Sequence, residues 1–226
     1  MNFEETFKDF KWGTENTLFC NLPHDTLKKE YCGGIYDRFF DVEEGDVVLD
    51  LGATAGDFIY SILHKKPKHC FVVEPQPEVF PTLKENLMGY PVSFIKVAIL
   101  DHDLRGSADL KSIRVITFKE LVEENNLDNI DFLKLDIEGG EYSIFTLDNV
   151  NYLRHIPKIV GEFHLQVDQH DPALLREKFR YFRDKVLPHF PKFEVRSVDG
   201  VDIKWDLYNE HFIEYYKHIV FHIDNR

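Results

Sequence analysis

Val47-Val48-Leu49-Asp50-Leu51-Gly52-Ala53-Thr54-Ala55-Gly56-Asp57-Phe58 is the stretch of sequence that decides the fold. Its first residues are nearly all apolar and begin with β-branched side chains, which predicts a buried β-strand. Small residues continue to Gly56, and the apolar residues that follow recur at helical spacing. A buried strand that leads through a glycine loop into a helix is the opening unit of a doubly wound α/β sheet. Such a loop lets a ligand approach the backbone near the positive end of the helix.

The loop does not match a dinucleotide-binding fingerprint, which requires three glycines in the pattern G-x-G-x-x-G. Only Gly52 and Gly56 are present, with Thr54 between them. Asp50 precedes the first glycine, where its carboxylate would repel a pyrophosphate but could hold polar groups of an uncharged or cationic ligand. We expect Gly52 to be glycine because a side chain there would meet that ligand.

A second short apolar run, 71–73, ends in Glu74. An acid directly after the second strand suits the two ribose hydroxyls of an adenosine, each of which can donate a hydrogen bond to it. S-adenosylmethionine contains an adenosine, carries a sulfonium and has no phosphate. The loop together with Glu74 therefore favours this cofactor.

Composition predicts a soluble globular protein with one large core, because 43% of the 226 residues are hydrophobic and 30% are charged. The formal net charge of −13 argues against a nucleic-acid partner, since binding to a phosphate backbone depends on cationic contacts. The three cysteines contain no C-x-x-C pair, and their odd number argues against a disulfide framework. No apolar run reaches membrane-spanning length and no signal pattern opens the chain, so we expect a cytoplasmic protein. The oligomeric state stays open.

A second strand–glycine–helix unit lies at Asp131–Glu141. Its strand ends at Asp136, so Asp136 and Glu138 are expected at the same end of the sheet as the first loop. On the next predicted strand, 159–165, Glu162 and His164 are two residues apart and share a face. A central strand is usually apolar on both faces, so two ionisable residues on it indicate either a satisfied hydrogen-bonded pair or an acid–base or metal site.

These motifs resemble the FkbM family of S-adenosylmethionine-dependent methyltransferases. The resemblance rests on the stretches Gly45–Ala53 with Gly56, Val73–Pro75 with Pro77, Ala98, Ile130–Gly139 with Glu141, and the pair Glu162 and His164. The sequence departs from the family pattern at Thr54, where members usually carry Asn. The resemblance implies an α/β class I methyltransferase (Rossmann-like) fold, a three-layer sandwich around a seven-stranded, mostly parallel sheet of order 3-2-1-4-5-7-6 with an antiparallel final strand.

The resemblance also implies O-methylation of a sugar, glycan or small natural-product hydroxyl. A base must take the proton of such a hydroxyl, and the candidates are Asp136 and His164, with Glu162 orienting His164. In an alternative mechanism, Asp136, Glu162 and His164 bind magnesium or manganese, which lowers the pKa of the hydroxyl; the metal-free version is preferred. A different class of function, a non-catalytic module that binds an adenosyl cofactor, also remains open.

The prediction divides the chain into an N-terminal segment, 1–45, and a methyltransferase domain, 46–226. The aromatic-rich N-terminal segment is expected to be a helical pair on the sheet edge, or else a lid whose part around Glu30 and Tyr31 closes over the cofactor. Cofactor contacts are expected from Glu30, Asp50, Gly52, Ala53, Thr54, Gly56, Phe58, Glu74, Pro75, Ala98, Asp136 and Glu138.

Overall fold

The computed structural model describes residues 3–12, 34–100, 113–168 and 170–226. In chain order its strands are β1 (Val47–Leu51), β2 (His69–Val73), β3 (Val92–Ile95), β4 (Ala98–Ile99), β5 (Val115–Ile116), β6 (Phe132–Leu135), β7 (Lys158–His164), β8 (Phe193–Arg196) and β9 (His218–Asp224). The α-helices are α1 (Phe3–Thr6), α2 (Asp57–Ile62), α3 (Phe80–Leu87), α4 (Phe118–Asn125), α5 (Glu141–Ile144), α6 (Val150–Leu153), α7 (Pro172–Tyr181) and α8 (Glu210–Tyr215).

The main sheet has seven strands in the order β3-β2-β1-β6-β7-β9-β8. Strand β1 lies inside the sheet, next to the central strand β6, and pairs in parallel with β2 on one side and with β6 on the other. Strand β9 runs antiparallel to both β7 and β8. Numbered within this sheet alone, the order is 3-2-1-4-5-7-6 with an antiparallel final strand, which confirms the predicted class I methyltransferase architecture.

The region after β3 differs from the prediction. The apolar pattern at Val92–Val97 predicts a third strand of that length, but the strand ends at Ile95, and Ala98–Ile99 leaves the main sheet. It pairs in parallel with Val115–Ile116 as a separate two-stranded sheet. Hydrophobic pattern alone does not distinguish these arrangements, because both bury Ala98 and Ile99.

The core lies on both faces of the main sheet because side chains alternate along each strand. Val48 and Val72 point into one apolar cluster, which also contains residues of α2 and α3. Leu49 and Leu133 point into the other, which extends to α7 and β9. Every residue of β6 and β7 is buried, as parallel strands covered on both faces require.

The described part of the N-terminal segment packs against the sheet. Phe3, Phe7, Phe10, Tyr36 and Phe40 are buried in the same cluster as Val48 and Phe132. Glu30 and Tyr31, to which the lid hypothesis refers, lie outside the described residues, and the domain boundary at residue 45 stays a prediction. None of the helices in the described ranges has the length and apolar character that crossing a bilayer demands.

Candidate active site

The glycine loop is fixed by its neighbour, the end of β6. Gly52 has a φ of +79°, and a Cβ atom placed there would lie 1.8 Å from the carbonyl oxygen of Asp136. The explanation expected from the sequence, that a side chain would meet the cofactor, is therefore not required. Gly52 is needed because the loop after β1 and the turn after β6 approach each other through bare backbone.

Four backbone N–H groups of this loop are already used within the protein. Gly52 and Ala53 both donate to the carbonyl of Val73, at 3.0 Å each, and Gly56 donates to the carbonyl of Ala53 at 2.7 Å. Thr54, at a φ of +47°, donates to Glu74 Oε2 at 2.9 Å. A phosphate site would need such N–H groups to be free. The loop is thus unsuited to a pyrophosphate, in agreement with the exclusion of a dinucleotide.

Glu74 is held at the end of β2 as an acceptor. Its side chain accepts the N–H of Thr54 on Oε2 and the N–H of Gln76 on Oε1, the latter at 2.8 Å. Burial, opposed by these two hydrogen bonds, raises the pKa of Glu74. A carboxylate has about four acceptor positions, so two remain for the hydroxyls of a ribose. This arrangement fits an adenosyl ligand.

Asp50 has a partner inside the protein, and its predicted contact with the cofactor stays a prediction. The residue is fully buried, and the ammonium of Lys134 on β6 lies 3.2 Å from its Oδ1. Lys134 also donates to the carbonyl of Gly52 at 2.9 Å and lies over the ring of Tyr36. Burial, only partly offset by Lys134, raises the pKa of Asp50 to about 6. The buried Asp50–Lys134 pair therefore holds the glycine loop in place through the carbonyl of Gly52.

Packing gives Phe58 and Gly56 a role within the protein, and their predicted cofactor contacts stay predictions. The Phe58 ring lies in the core, against the rings of Tyr36 and Phe132. A Cβ at Gly56 would come within 3.0 Å of the side chains of Leu83 and Leu87, so this glycine allows α2 and α3 to approach. Ala53 and Ala98 are buried and Pro75 is half-buried; their predicted contacts, like that of Thr54, stay predictions, and Glu30 lies outside the described residues.

The turn after β6 is organised by Glu141, the first residue of α5. Glu141 is fully buried, and its Oε1 accepts the N–H groups of Ile137 at 3.1 Å and Gly139 at 3.2 Å. Within this turn Glu138 has a φ of +54°, a strained conformation for a residue with a side chain. Asp136 and Glu138 are both accessible, with side-chain exposures of 30% and 64%.

His164 is oriented by Glu141 and not, as the sequence suggested, by Glu162. Its Nδ1 lies 2.9 Å from Glu141 Oε1, and its Nε2 lies 3.7 Å from Asp136 Oδ1 and 3.6 Å from Glu138 Oε2. Burial alone would lower the pKa of His164, but these three carboxylates outweigh it and raise the pKa to about 10. An imidazole that is already protonated at neutral pH cannot accept a proton, so this environment argues against the predicted base.

Glu162 instead pairs with His218, the first residue of β9. His218 Nδ1 lies 3.2 Å from Glu162 Oε2, and the hydroxyl of Tyr36 donates to Glu162 Oε1 at 3.1 Å. Burial would raise the pKa of Glu162, yet His218, His164 and Tyr36 together lower it. The hydrogen bond to Glu162 raises the pKa of His218.

The sequence therefore predicted correctly which strand ends lie together. It did not reveal three further residues of the site, Lys134, Glu141 and His218. Asp136, Glu162 and His164 do meet at one end of the sheet, as predicted, and burial together with the charge of Glu162 raises the pKa of Asp136 to about 7. The site has two carboxylate–imidazole pairs: a buried one, Glu141–His164, and a more accessible one in which the His218 side chain is 38% exposed.

The fold and this site define a class I S-adenosylmethionine-dependent methyltransferase. The model of the methyltransferase FkbM domain family matches residues 50–186, and the chain belongs to this family. The family uses S-adenosylmethionine, which confirms the predicted cofactor.

Among curated proteins, the hexuronic acid methyltransferase AglP of Haloferax volcanii is 24% identical over 153 residues, covering 60% of this chain. The match spans 63% of AglP, which is less than two thirds of its length. Among solved structures, Aeropyrum pernix fibrillarin with natively bound S-adenosyl-L-methionine has the same fold: the TM-score is 0.51 at 12% identity, covering 86% of this chain and 76% of that one.

Proposed function

We propose that this protein transfers a methyl group from S-adenosylmethionine to a hydroxyl of a sugar. The observation that carries the proposal is the pairing of His218 with Glu162 beside Asp136 and His164, at the same end of the sheet as Glu74 and the glycine loop. Binding an adenosyl cofactor needs neither the His218–Glu162 pair nor His164. Similarity to a hexuronic acid methyltransferase supports a sugar acceptor.

The chemistry requires a base at the acceptor. S-adenosylmethionine supplies an electrophilic methyl group: the acceptor oxygen forms the new C–O bond, and the electron pair of the broken C–S bond stays on sulfur, giving S-adenosylhomocysteine. The proton of the hydroxyl must leave as that bond forms. We assign its uptake to Nε2 of His218, because Nδ1 is held by Glu162 and the side chain is accessible.

The remaining groups position the reactants. Glu162 fixes the tautomer and orientation of His218 and is itself held by Tyr36. Glu74 holds the cofactor ribose, and Lys134 keeps the loop in place through Gly52. Asp136 and His164 line the acceptor side. Bringing two reactants into contact in a closed site accounts for much of the acceleration that such enzymes achieve.

The test is methyl transfer to a panel of hexuronic acids and neutral hexoses, free and glycosidically linked, with S-adenosylhomocysteine measured by mass spectrometry. We expect turnover with at least one sugar and a fall in kcat of about 10²–10⁴ in His218→Asn, the usual contribution of a general base. His155 is exposed and precedes β7 at the other end of the sheet, so His155→Asn serves as the matched control and should retain full activity.

Two results would contradict the proposal. Wild-type rates in His218→Asn would remove His218 from the mechanism. Calorimetric binding of S-adenosylhomocysteine without turnover on any hydroxyl of the panel would favour the alternative, a non-catalytic module that binds an adenosyl cofactor.

A further inference from the structure

Three side chains of the acceptor side converge on one small volume. Asp136 Oδ1 and Glu138 Oε2 lie 3.7 Å and 3.6 Å from His164 Nε2, and the three ligand atoms all lie within 4.8 Å of one another. These separations exceed those of N–H···O hydrogen bonds, and no described residue hydrogen-bonds Nε2 of His164. Two ligands of one cation with bonds of about 2.1 Å lie about 3.0 Å apart at a right angle and about 4.2 Å apart when opposite. The two separations from His164 Nε2 fall between these limits.

The buried partner of His164 has the arrangement found behind metal-binding imidazoles. Such an imidazole usually donates its second N–H to a carboxylate, which fixes the tautomer and aims the other nitrogen at the metal. Glu141, fully buried, holds Nδ1 of His164 in this way at 2.9 Å. The same carboxylate oxygen accepts the N–H groups of Ile137 and Gly139. Glu141 therefore sets both the imidazole and the turn that carries Asp136 and Glu138.

The charge of the cluster also favours a cation. Four carboxylates surround two imidazoles here: Asp136, Glu138, Glu141 and Glu162 around His164 and His218. With all four carboxylates ionised and both imidazoles protonated, the cluster would carry two more negative than positive charges, apart from Lys134, which is paired with Asp50. A divalent cation would balance that excess, and oxygen-rich ligation with one imidazole suits magnesium or manganese.

A neighbouring group, Glu162, His164 and His218, also has three ligand atoms within 4.8 Å of one another. Its own hydrogen bonds make it the weaker candidate. Glu162 uses Oε2 for His218 and Oε1 for Tyr36, so a cation would have to displace an existing bond. No residue of the described ranges hydrogen-bonds the side chains of Asp136 and Glu138 in this way, and their partial exposure leaves room for water or an acceptor oxygen in further coordination positions.

We propose that Asp136, Glu138 and His164 bind a divalent cation of the magnesium or manganese type, with Glu141 as the positioning residue behind His164. The role of the site rests on the proposed function: beside the acceptor, the cation would hold the hydroxyl and lower its pKa. This ligand set differs from that suggested by the sequence, in that Glu138 replaces Glu162.

Binding of Mn²⁺ to the full chain tests the site without cofactor, acceptor or turnover. We expect electron paramagnetic resonance titration with MnCl₂ to show saturable binding that excess Mg²⁺ displaces. Electron spin echo modulation should show coupling to one imidazole nitrogen that is absent in His164→Gln. Because no step of this measurement involves methyl transfer, its outcome is independent of the acceptor assay.

Matched variants distinguish the proposed cation site from the neighbouring group that contains His218. Glu138→Gln changes an exposed side chain and should weaken Mn²⁺ binding at least about tenfold, and Glu141→Gln should weaken it about 10- to 100-fold, as loss of such a supporting carboxylate does. His218→Asn should change affinity less than twofold. A thermal melt confirms that each variant is folded. Absence of Mn²⁺ binding at millimolar concentration in the wild type, unchanged affinity in Glu138→Gln, or loss of binding in His218→Asn would each overturn the proposal.

Discussion

Replacing Lys134 by methionine removes the only cationic side chain that the structure places against the carboxylate of Asp50 within the described residues. Asp50 is fully buried, with the Lys134 ammonium 3.2 Å from its Oδ1. Its pKa is already raised to about 6, chiefly by burial, while Lys134 acts in the opposite direction. In Lys134→Met nothing opposes burial to the same degree, and the folded-state pKa of Asp50 should rise further. Asp50 will then be protonated in the folded protein at neutral pH.

The loss of stability in Lys134→Met depends on the proton that Asp50 binds in the folded variant. Losing one partner of a buried ion pair costs about 3–5 kcal/mol. A pKa raised on folding contributes stability that is complete in acid and lost as the pH rises through the folded value. In the wild type this loss of stability with rising pH ends near pH 6. In Lys134→Met it continues to higher pH, because the folded-state pKa of Asp50 is higher. The difference in unfolding free energy should therefore grow by about 1.4 kcal/mol per pH unit between pH 6 and pH 8.

Urea unfolding at pH 6, 7 and 8, followed by circular dichroism, measures this slope. Lys158→Met is the matched control: Lys158 is equally buried on a strand, but its partners Asp46 and Glu43 have side-chain exposures of 14% and 66%. We expect the control to lose stability by a nearly pH-independent amount. Curves of unfolding free energy against pH that run parallel for Lys134→Met and the wild type would refute the reasoning.

Three further predictions concern other parts of the molecule. Glu74→Ala should weaken S-adenosylhomocysteine binding by about 3–6 kcal/mol, two charged hydrogen bonds, with a smaller loss in Glu74→Gln; calorimetry with unchanged affinity would contradict the ribose assignment. Burial lowers the pKa of His222 to about 4, so stability should fall by about 3 kcal/mol as the pH drops from 6.5 towards 4, and His222→Gln should flatten this part of the denaturation profile. Thr117→Ala removes the capping box of α4 and should lower the unfolding free energy by about 1 kcal/mol in urea melts, while leaving cofactor affinity unchanged.

The strand order was implied by the family resemblance, whereas the cofactor loop could be predicted because its signals are local. The run at Val47–Leu51, the glycine that follows and Glu74 are all read directly from the sequence. The roles of residues that depend on tertiary contacts could not be predicted in this way. Gly56 resembles a ligand-binding glycine, yet its neighbours are the side chains of Leu83 and Leu87 on α3.

The partners of the ionisable groups illustrate the same limit. Glu162 and His164 share a face of β7, but residues two apart on a strand point outward side by side and do not turn towards each other. Their actual partners come from other elements, Glu141 from α5 and His218 from β9. His218 could have been found, because an antiparallel last strand begins where its parallel neighbour ends, and the register places it opposite His164.

The contact between Gly52 and Asp136 connects the two halves of the site. The loop beside Glu74, the proposed ribose ligand, and the turn that carries Asp136, which we propose faces the acceptor, meet at this backbone contact, where a Cβ would clash at 1.8 Å. Lys134, two residues before Asp136, donates to the carbonyl of the same glycine. These two contacts fix the position of the loop relative to the turn, as alignment of a methyl group with an attacking oxygen requires. A module that only binds the cofactor would gain nothing from this coupling, nor from retaining buried ionisable groups that cost free energy to desolvate.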